Sequence, residues 1–235
     1  LQGAKHLDMS MIDGKWGVCL DGEGPVGVIV TEAPGNDRLR FKVLGRSAHA
    51  GIEPERGKSA IACAADAISA ISLGRIDEAT TANIGIITGG TATNVVPEEV
   101  VVEGEVRSLY EGRLRDRVLA MVGAFRETAA RHGCEVEIEV TRDFDHFKID
   151  TSGLAARSLG RAMAACGVEP SFRTSGGGSD ANLFNACGLE VVAMGLGLNS
   201  VHSREEYVLK SDFIAAARIT AALACVGCDG REESG

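Results

Sequence analysis

The chain has 235 residues, 45% of them hydrophobic, and a formal net charge of -9. That is enough apolar material for one large core or two small ones. The acidic balance, with no long basic cluster against it, excludes nucleic acid and anionic membrane as expected partners. No apolar run approaches 18 residues, so no transmembrane helix is expected. The opening LQGAKHLDMSMIDGK has no apolar signal core. Seven scattered cysteines, several in apolar stretches such as SAIACAAD, read as small buried hydrophobes of a reducing, cytoplasmic compartment. Cys225 and Cys228 form a lone CxxC, short of what a zinc site needs.

In chain order, WGVCL is an apolar run that ends on Asp21 and the flexible GEGPVG. VGVIVTEAP predicts a strand stopped by Pro34 and Gly35, and DRLRFKVLG alternates as a half-exposed strand does. GKSAIACAADAISAI predicts an alanine-rich packed helix. TTANIGIITGG and VVPEEVVVEGEVRSL predict two strands around a loop, with Pro97 at the entry to the second. EGRLRDRVLAMVGAFRETAARHG is an amphipathic helix with Gly133 as its stop, and CEVEIEVTRDF alternates as a strand. Residues from about 36 to 143 therefore read β-α-β-β-α-β, the order of a two-layer α+β domain with two helices on one face of an antiparallel sheet. The chain then alternates helix SGLAARSLGRAMAACG, a glycine loop, a helix around DANLFNACG, strand LEVVAMGLG and a closing helix around SDFIAAARITAALACVG. That pattern suits an α/β domain with a mostly parallel sheet. The fold class expected is an incomplete α/β domain (1–33 and 146–235) interrupted by an α+β insert (34–145).

Several residues stand where chemistry is done. Asp21 follows a strand and could ligate a metal or merely cap a turn. His202 follows the glycine-rich strand end GLGLNSVH, the kind of place where open α/β sheets build their sites. His49, in GRSAHAG, lies in a loop bracketed by Gly45 and Gly51 and could donate to a developing oxyanion. Asn94, in GGTATNVVP, could donate to a substrate carbonyl or form an Asx-turn. Arg107, in EGEVRSL, has a planar fork suited to a carboxylate, with a salt bridge to a neighbouring glutamate as the competing use. SGGGSD at 175–180 lacks the glycine spacing and the lysine of a nucleotide loop. Ser179, Asp180 and Asn182 there could cap the following helix. No GxSxG elbow occurs, which argues against a serine hydrolase.

Together GRSAHAGIEPERGKSAI, GGTATNVVPEEVVVEGEVRSL and TSGGGSDANLFNACGLEVVAMGLGLNSVHSREEY resemble the zinc-dependent exopeptidase family of aminoacylase, carboxypeptidase G, succinyl-diaminopimelate desuccinylase and peptidase T, most of all its peptidase T-like branch. The resemblance runs over essentially the whole chain. It implies a ferredoxin-like lid that dimerises, a homodimer, and two zinc ions, with cobalt or manganese as other occupants of similar ligands. It implies metal ligation by Asp21 and His202, and an oxyanion role for His49 reaching across the dimer. It also implies substrate binding by Asn94, by Arg107 on a carboxylate, and by Gly177 and Gly178 lining the pocket. The family's upstream histidine, bridging aspartate and glutamate pair, which includes the general base, would precede Leu1. This chain alone is therefore expected to be inactive. The activity implied is release of a residue from short peptides. Hydrolysis of N-acyl or N-carbamoyl amino acids is the alternative, and a non-catalytic dimerisation module is a third.

Overall fold

The computed structural model describes residues 1–201 and 203–226 and divides into two compact units: residues 1–34 with 145–235, and residues 35–144.

The second unit is built on β3 (Gly35–Leu44). Before it in chain order come the short helix α1 (Gln2–Lys5) and the unit-one strands β1 (Trp16–Gly22) and β2 (Val28–Ala33). After β3 come α2 (Ala60–Ser69), β4 (Gly74–Arg75), β5 (Thr80–Gly89), β6 (Glu99–Ser108), α3 (Glu111–His132) and β7 (Glu135–Phe144). The sheet order is β4-β5-β6-β3-β7 with every pair antiparallel. Setting aside the two-residue β4, this is the β-α-β-β-α-β arrangement read from the sequence, with β6 and β3 central. Alternation decides the faces. Leu39, Phe41 and Val43 of β3 and Val100, Val102 and Val106 of β6 are buried, and they pack with Leu114, Met121 and Phe125 of α3. The rings of Phe41 and Phe125 stack, 3.8 Å apart at 5°. Such side chains each contribute roughly 1.5–3 kcal/mol by leaving water. The small residues Ala60, Cys63, Ala64 and Ala67 form the buried stripe of α2, which Ser59 caps by accepting from Ala62 N. Helix α3 stops where Gly133 turns left-handed at φ 61°, as the glycine there predicts.

The first unit resumes with β8 (Phe147–Lys148), α4 (Leu154–Ala165), β9 (Ser171–Thr174), α5 (Asp180–Ala186), β10 (Glu190–Gly195), β11 (Leu198–Asn199), β12 (Tyr207–Val208) and α6 (Lys210–Val226). Strands β1 and β10 are parallel, as are β2 and β9, while β2 runs against both β10 and β8. The sheet is thus mixed. Strand β10 is apolar on both sides. Val192 and Met194 face a cluster with Leu159 and Met163 of α4 and Ile219 of α6, while Val191 and Ala193 face Ala181 of α5. Helices on both faces are why EVVAMG reads as a continuous apolar run and not an alternating one. The six described cysteines are unbridged; Cys63 and Cys134 are buried, Cys187 and Cys225 exposed. Cys228 lies outside the described residues. Among the described residues, no helix is long and apolar enough to cross a membrane.

Candidate active site

In the first unit, Asp21 stands exposed near the C-terminal end of β1, one residue before Gly22, which pairs with Gly195 at the end of β10. Two glycines let these strand ends meet. A methyl on Gly22 would lie 2.5 Å from the Met194 carbonyl carbon, and one on Gly195 would lie 2.5 Å from the Pro25 carbonyl oxygen. The loop after Asp21 is pinned here, because Gly197 N donates to Gly24 O at 2.9 Å. Asp21 is therefore beside the segment that runs from β10 through Leu198–Asn199 toward position 202. His202 itself lies outside the described residues. The electrostatic reach of Asp21 is visible at Cys19, whose thiol is pushed up first by burial and then by the Asp21 and Asp180 charges.

The same loop holds the glycine segment. Glu23 Oε2 accepts from Ser175 Oγ at 2.9 Å and from Gly176 N at 3.4 Å, and Ser175 Oγ in turn accepts from Gly177 N at 3.0 Å. A methyl on Gly177 would meet only Ser175 Oγ, at 3.8 Å, so close packing does not demand a glycine there. Gly178, half-buried, follows directly and leads into α5. Ser179 and Asn182 form a reciprocal capping box on α5, as their spacing predicts. Asn182 does more than cap. Fully buried, it also donates from Nδ2 to Pro34 O at 3.1 Å and to Asp145 O at 2.8 Å.

In the second unit, the structure brings His49 and Asn94 together. The two loops form a bridge at His49–Val95, Ala50 N donates to Asn94 O at 2.9 Å, and Val96 N donates to Ala48 O at 2.9 Å. Both residues are exposed. Gly51 N donates to His49 Nδ1 at 3.2 Å. An Nδ1 that accepts cannot carry the proton, so the neutral ring bears it on Nε2, a donor facing away from that bond. Gly45 has a different task from a turn. A methyl there would lie 2.0 Å from Lys58 O, so the glycine lets the start of the His49 loop lie against the Lys58 backbone.

Arg107 is not with His49 and Asn94. It sits near the far end of β6, whose first residue, Glu99, follows the Asn94 loop. Eight residue steps along the strand separate Glu99 from Arg107, roughly 26 Å. The glutamate pairing that competes for Arg107 is present. Nε donates to Glu105 Oε1 at 2.9 Å and Nη2 to Oε2 at 3.1 Å. Glu23 and Glu105 were not singled out in the sequence. Glu105 had a readable signal, since two residues apart on a strand means one face.

For a metal, Asp21 is the right donor type at the right kind of strand end, but it is one ligand. Among the described residues no group of three or more His, Cys, Asp or Glu is arranged to hold an ion. The described residues alone therefore do not make a metal centre.

Comparison with known proteins shows what the chain is similar to. Residues 31–134 match the model of the M20 peptidase dimerisation domain. The chain is 40% identical over 223 residues to the uncharacterized protein YqjE of Bacillus subtilis, covering 95% of this chain and 60% of that one. Among solved structures it is similar to a tripeptidase from Staphylococcus aureus, with a TM-score of 0.88 and 34% identity over 96% of this chain and 61% of that one. It is also similar to aminopeptidase PepT from Bacillus cereus, with a TM-score of 0.83 and 38% identity over 94% and 60%. The chain thus spans about three fifths of the length of these relatives. Over nearly all of its length the chain is similar in sequence and in fold to these relatives, and its residues 31–134 match the M20 peptidase dimerisation domain.

Proposed function

We propose that the protein to which this chain belongs is a metal-dependent exopeptidase acting on short peptides, as the tripeptidase and aminopeptidase among its relatives are named. The observation that carries this reading is the His49 loop: an exposed imidazole whose Nδ1 is occupied by Gly51 N, beside Asn94. A neutral Nε2–H donor, fixed by a backbone bond, is the group needed to stabilise an oxyanion developing on a substrate carbonyl. Asp21 and His202 would hold metal, either zinc or cobalt or manganese. When bound, two ions would polarise that carbonyl and acidify a water. The remaining ligands and the glutamate base would come from the part of the relatives' length that this chain does not span.

The separation of Arg107 from His49 and Asn94 supports a division of labour in a homodimer. One short substrate cannot reach both ends of β6. Arg107 would grip the substrate carboxylate of its own subunit, while His49 and Asn94 would serve the partner's site. Gly177 and Gly178 would line the pocket. The dimer itself would form through β5 and α2. Strand β4 pairs only with Thr81 and Ala82 of β5, and beyond them Ile86 and Ile87 are 55% and 54% exposed, with Ile61 of α2 at 44%. The unbridged cysteines suit a cytoplasmic location.

In the whole protein, His49→Ala is expected to lower kcat by roughly 10²–10³, the cost of one oxyanion donor, with metal content unchanged. An unchanged kcat would sink the role. A panel of tripeptides against N-acyl and N-carbamoyl amino acids separates the peptidase from the amidohydrolase reading, because both substrate classes present an amide near a carboxylate.

A further inference from the structure

We propose that Glu105 and Asn36 are positioning residues for Arg107, holding its guanidinium so that one edge stays open for a substrate carboxylate. This rests on the reading of Arg107 given above and goes beyond it.

The strand register sets up the trio. Val100, Val102 and Val106 of β6 point to the helices, so Glu105 and Arg107 share the opposite face. Strand β3 pairs Asn36 directly across from Arg107. A guanidinium has two edges that can receive a carboxylate bidentately: Nε with Nη2, and Nη1 with Nη2. Glu105 takes the first, at 2.9 and 3.1 Å. That side-on clamp fixes the plane of the fork and leaves Nη1, with the second Nη2 hydrogen, as an end-on receptor. An arginine on a flexible stem would otherwise have to be ordered at each binding event.

Glu105 is itself held from behind. Asn36 is 2% exposed, and its Nδ2 donates to Glu105 Oε2 at 3.2 Å. Its Oδ1 is buried and, among the described residues, has no hydrogen-bond partner. Burying an unsatisfied amide oxygen opposes folding. Among the described residues, the one hydrogen bond made by this side chain goes to the carboxylate that clamps Arg107. The Glu105 and Arg107 side chains are 35% and 30% exposed, so their pair adds little to stability. Positioning, not cohesion, is the use this geometry supports.

The test is steady-state kinetics of the whole protein on two peptides of one sequence, one with a free C-terminal carboxylate and one amidated. Glu105→Ala is expected to raise KM for the free-carboxylate peptide by roughly three- to tenfold, the size expected from freeing one long side chain, with kcat changed less. Discrimination against the amide should shrink by the same factor. Glu105→Gln, which keeps one acceptor, should recover part of the loss. Asn36→Leu, which keeps the shape and removes the orphaned oxygen, should shift KM in the same direction without lowering Tm. Arg107→Ala is the control. If it leaves the free-carboxylate KM unchanged, the reading of Arg107 falls and this proposal with it. If Arg107→Ala raises KM but Glu105→Ala does not, or lowers it, positioning is overturned and the role of Arg107 stands. An equal KM rise on both peptides would also overturn it, since the effect would not depend on the carboxylate.

Discussion

One buried side chain, Asn182, ties together three backbone points of the first unit. Its Oδ1 accepts from Ser179 N at 2.9 Å, and its Nδ2 donates to Pro34 O at 3.1 Å and Asp145 O at 2.8 Å. Pro34 and Asp145 are the residues where the chain leaves and re-enters this unit. Replacing Asn182 by Ala removes all three bonds at a fully buried position. A lost hydrogen bond costs about 0.5–1.5 kcal/mol, and a buried group left unsatisfied about 1–3 kcal/mol. The expected loss is therefore about 3–4 kcal/mol. Asn182→Asp is the sharper probe. It has nearly the same shape, but it turns a carboxylate oxygen toward two carbonyl oxygens. At pH 7 it should be worse than Ala. Because such a carboxyl has its folded-state pKa raised, the folded state binds the proton more tightly, and the Asp variant should regain stability as pH falls. Urea unfolding followed by the fluorescence of Trp16, the single tryptophan and part of this unit, measures both. A loss under about 1 kcal/mol for Ala, or an Asp variant no worse than Ala at pH 7, would refute the three-bond account.

Two further outcomes follow from titratable groups. Burial alone would raise the Glu32 carboxyl, but hydrogen bonds from Lys148, Thr174 and His146 outweigh it and hold the group below its ordinary 4.5. A depressed folded pKa contributes stability that is full above the unfolded value and is lost as pH falls through the folded one. Glu32→Gln should therefore flatten the acid limb of a Tm-against-pH profile below about pH 4.5, and an unaltered limb would contradict the account. The Cys63 thiol is pushed up to about 11, by burial first and then by Cys134. At pH 8 about one Cys63 in a thousand is then thiolate. Mass-mapped alkylation of the native chain should mark the exposed Cys187 and Cys225 and spare Cys63 until denaturant is added. Labelling of Cys63 at the rate of Cys187 would show that the α2–α3 packing is looser than described.

The elements of the second unit were legible because each is a local pattern with a local stop: β3 alternates, α3 ends on Gly133, and Pro97 precedes β6. The family motifs named His49, Asn94 and Arg107 as site residues. Sequence could not measure that two of these sit together while the third is a strand's length away. It hinted that Ser179 and Asn182 cap a helix, since a capping box spans only three residues. It could not show Asn182 reaching Pro34 and Asp145, which lie 148 and 37 residues away along the chain. Gly22 reads from the sequence as part of a flexible loop, whereas the fold uses it, with Gly195, for contact between strand ends far apart in sequence. Periodicity and capping are energies of neighbours along the chain, and the sequence by itself determined those. The hold of Asn36 on Glu105, the reach of Asn182 and the pinning of the Asp21 loop depend on which groups distant along the chain are brought within hydrogen-bond distance. Only the tertiary structure decided them.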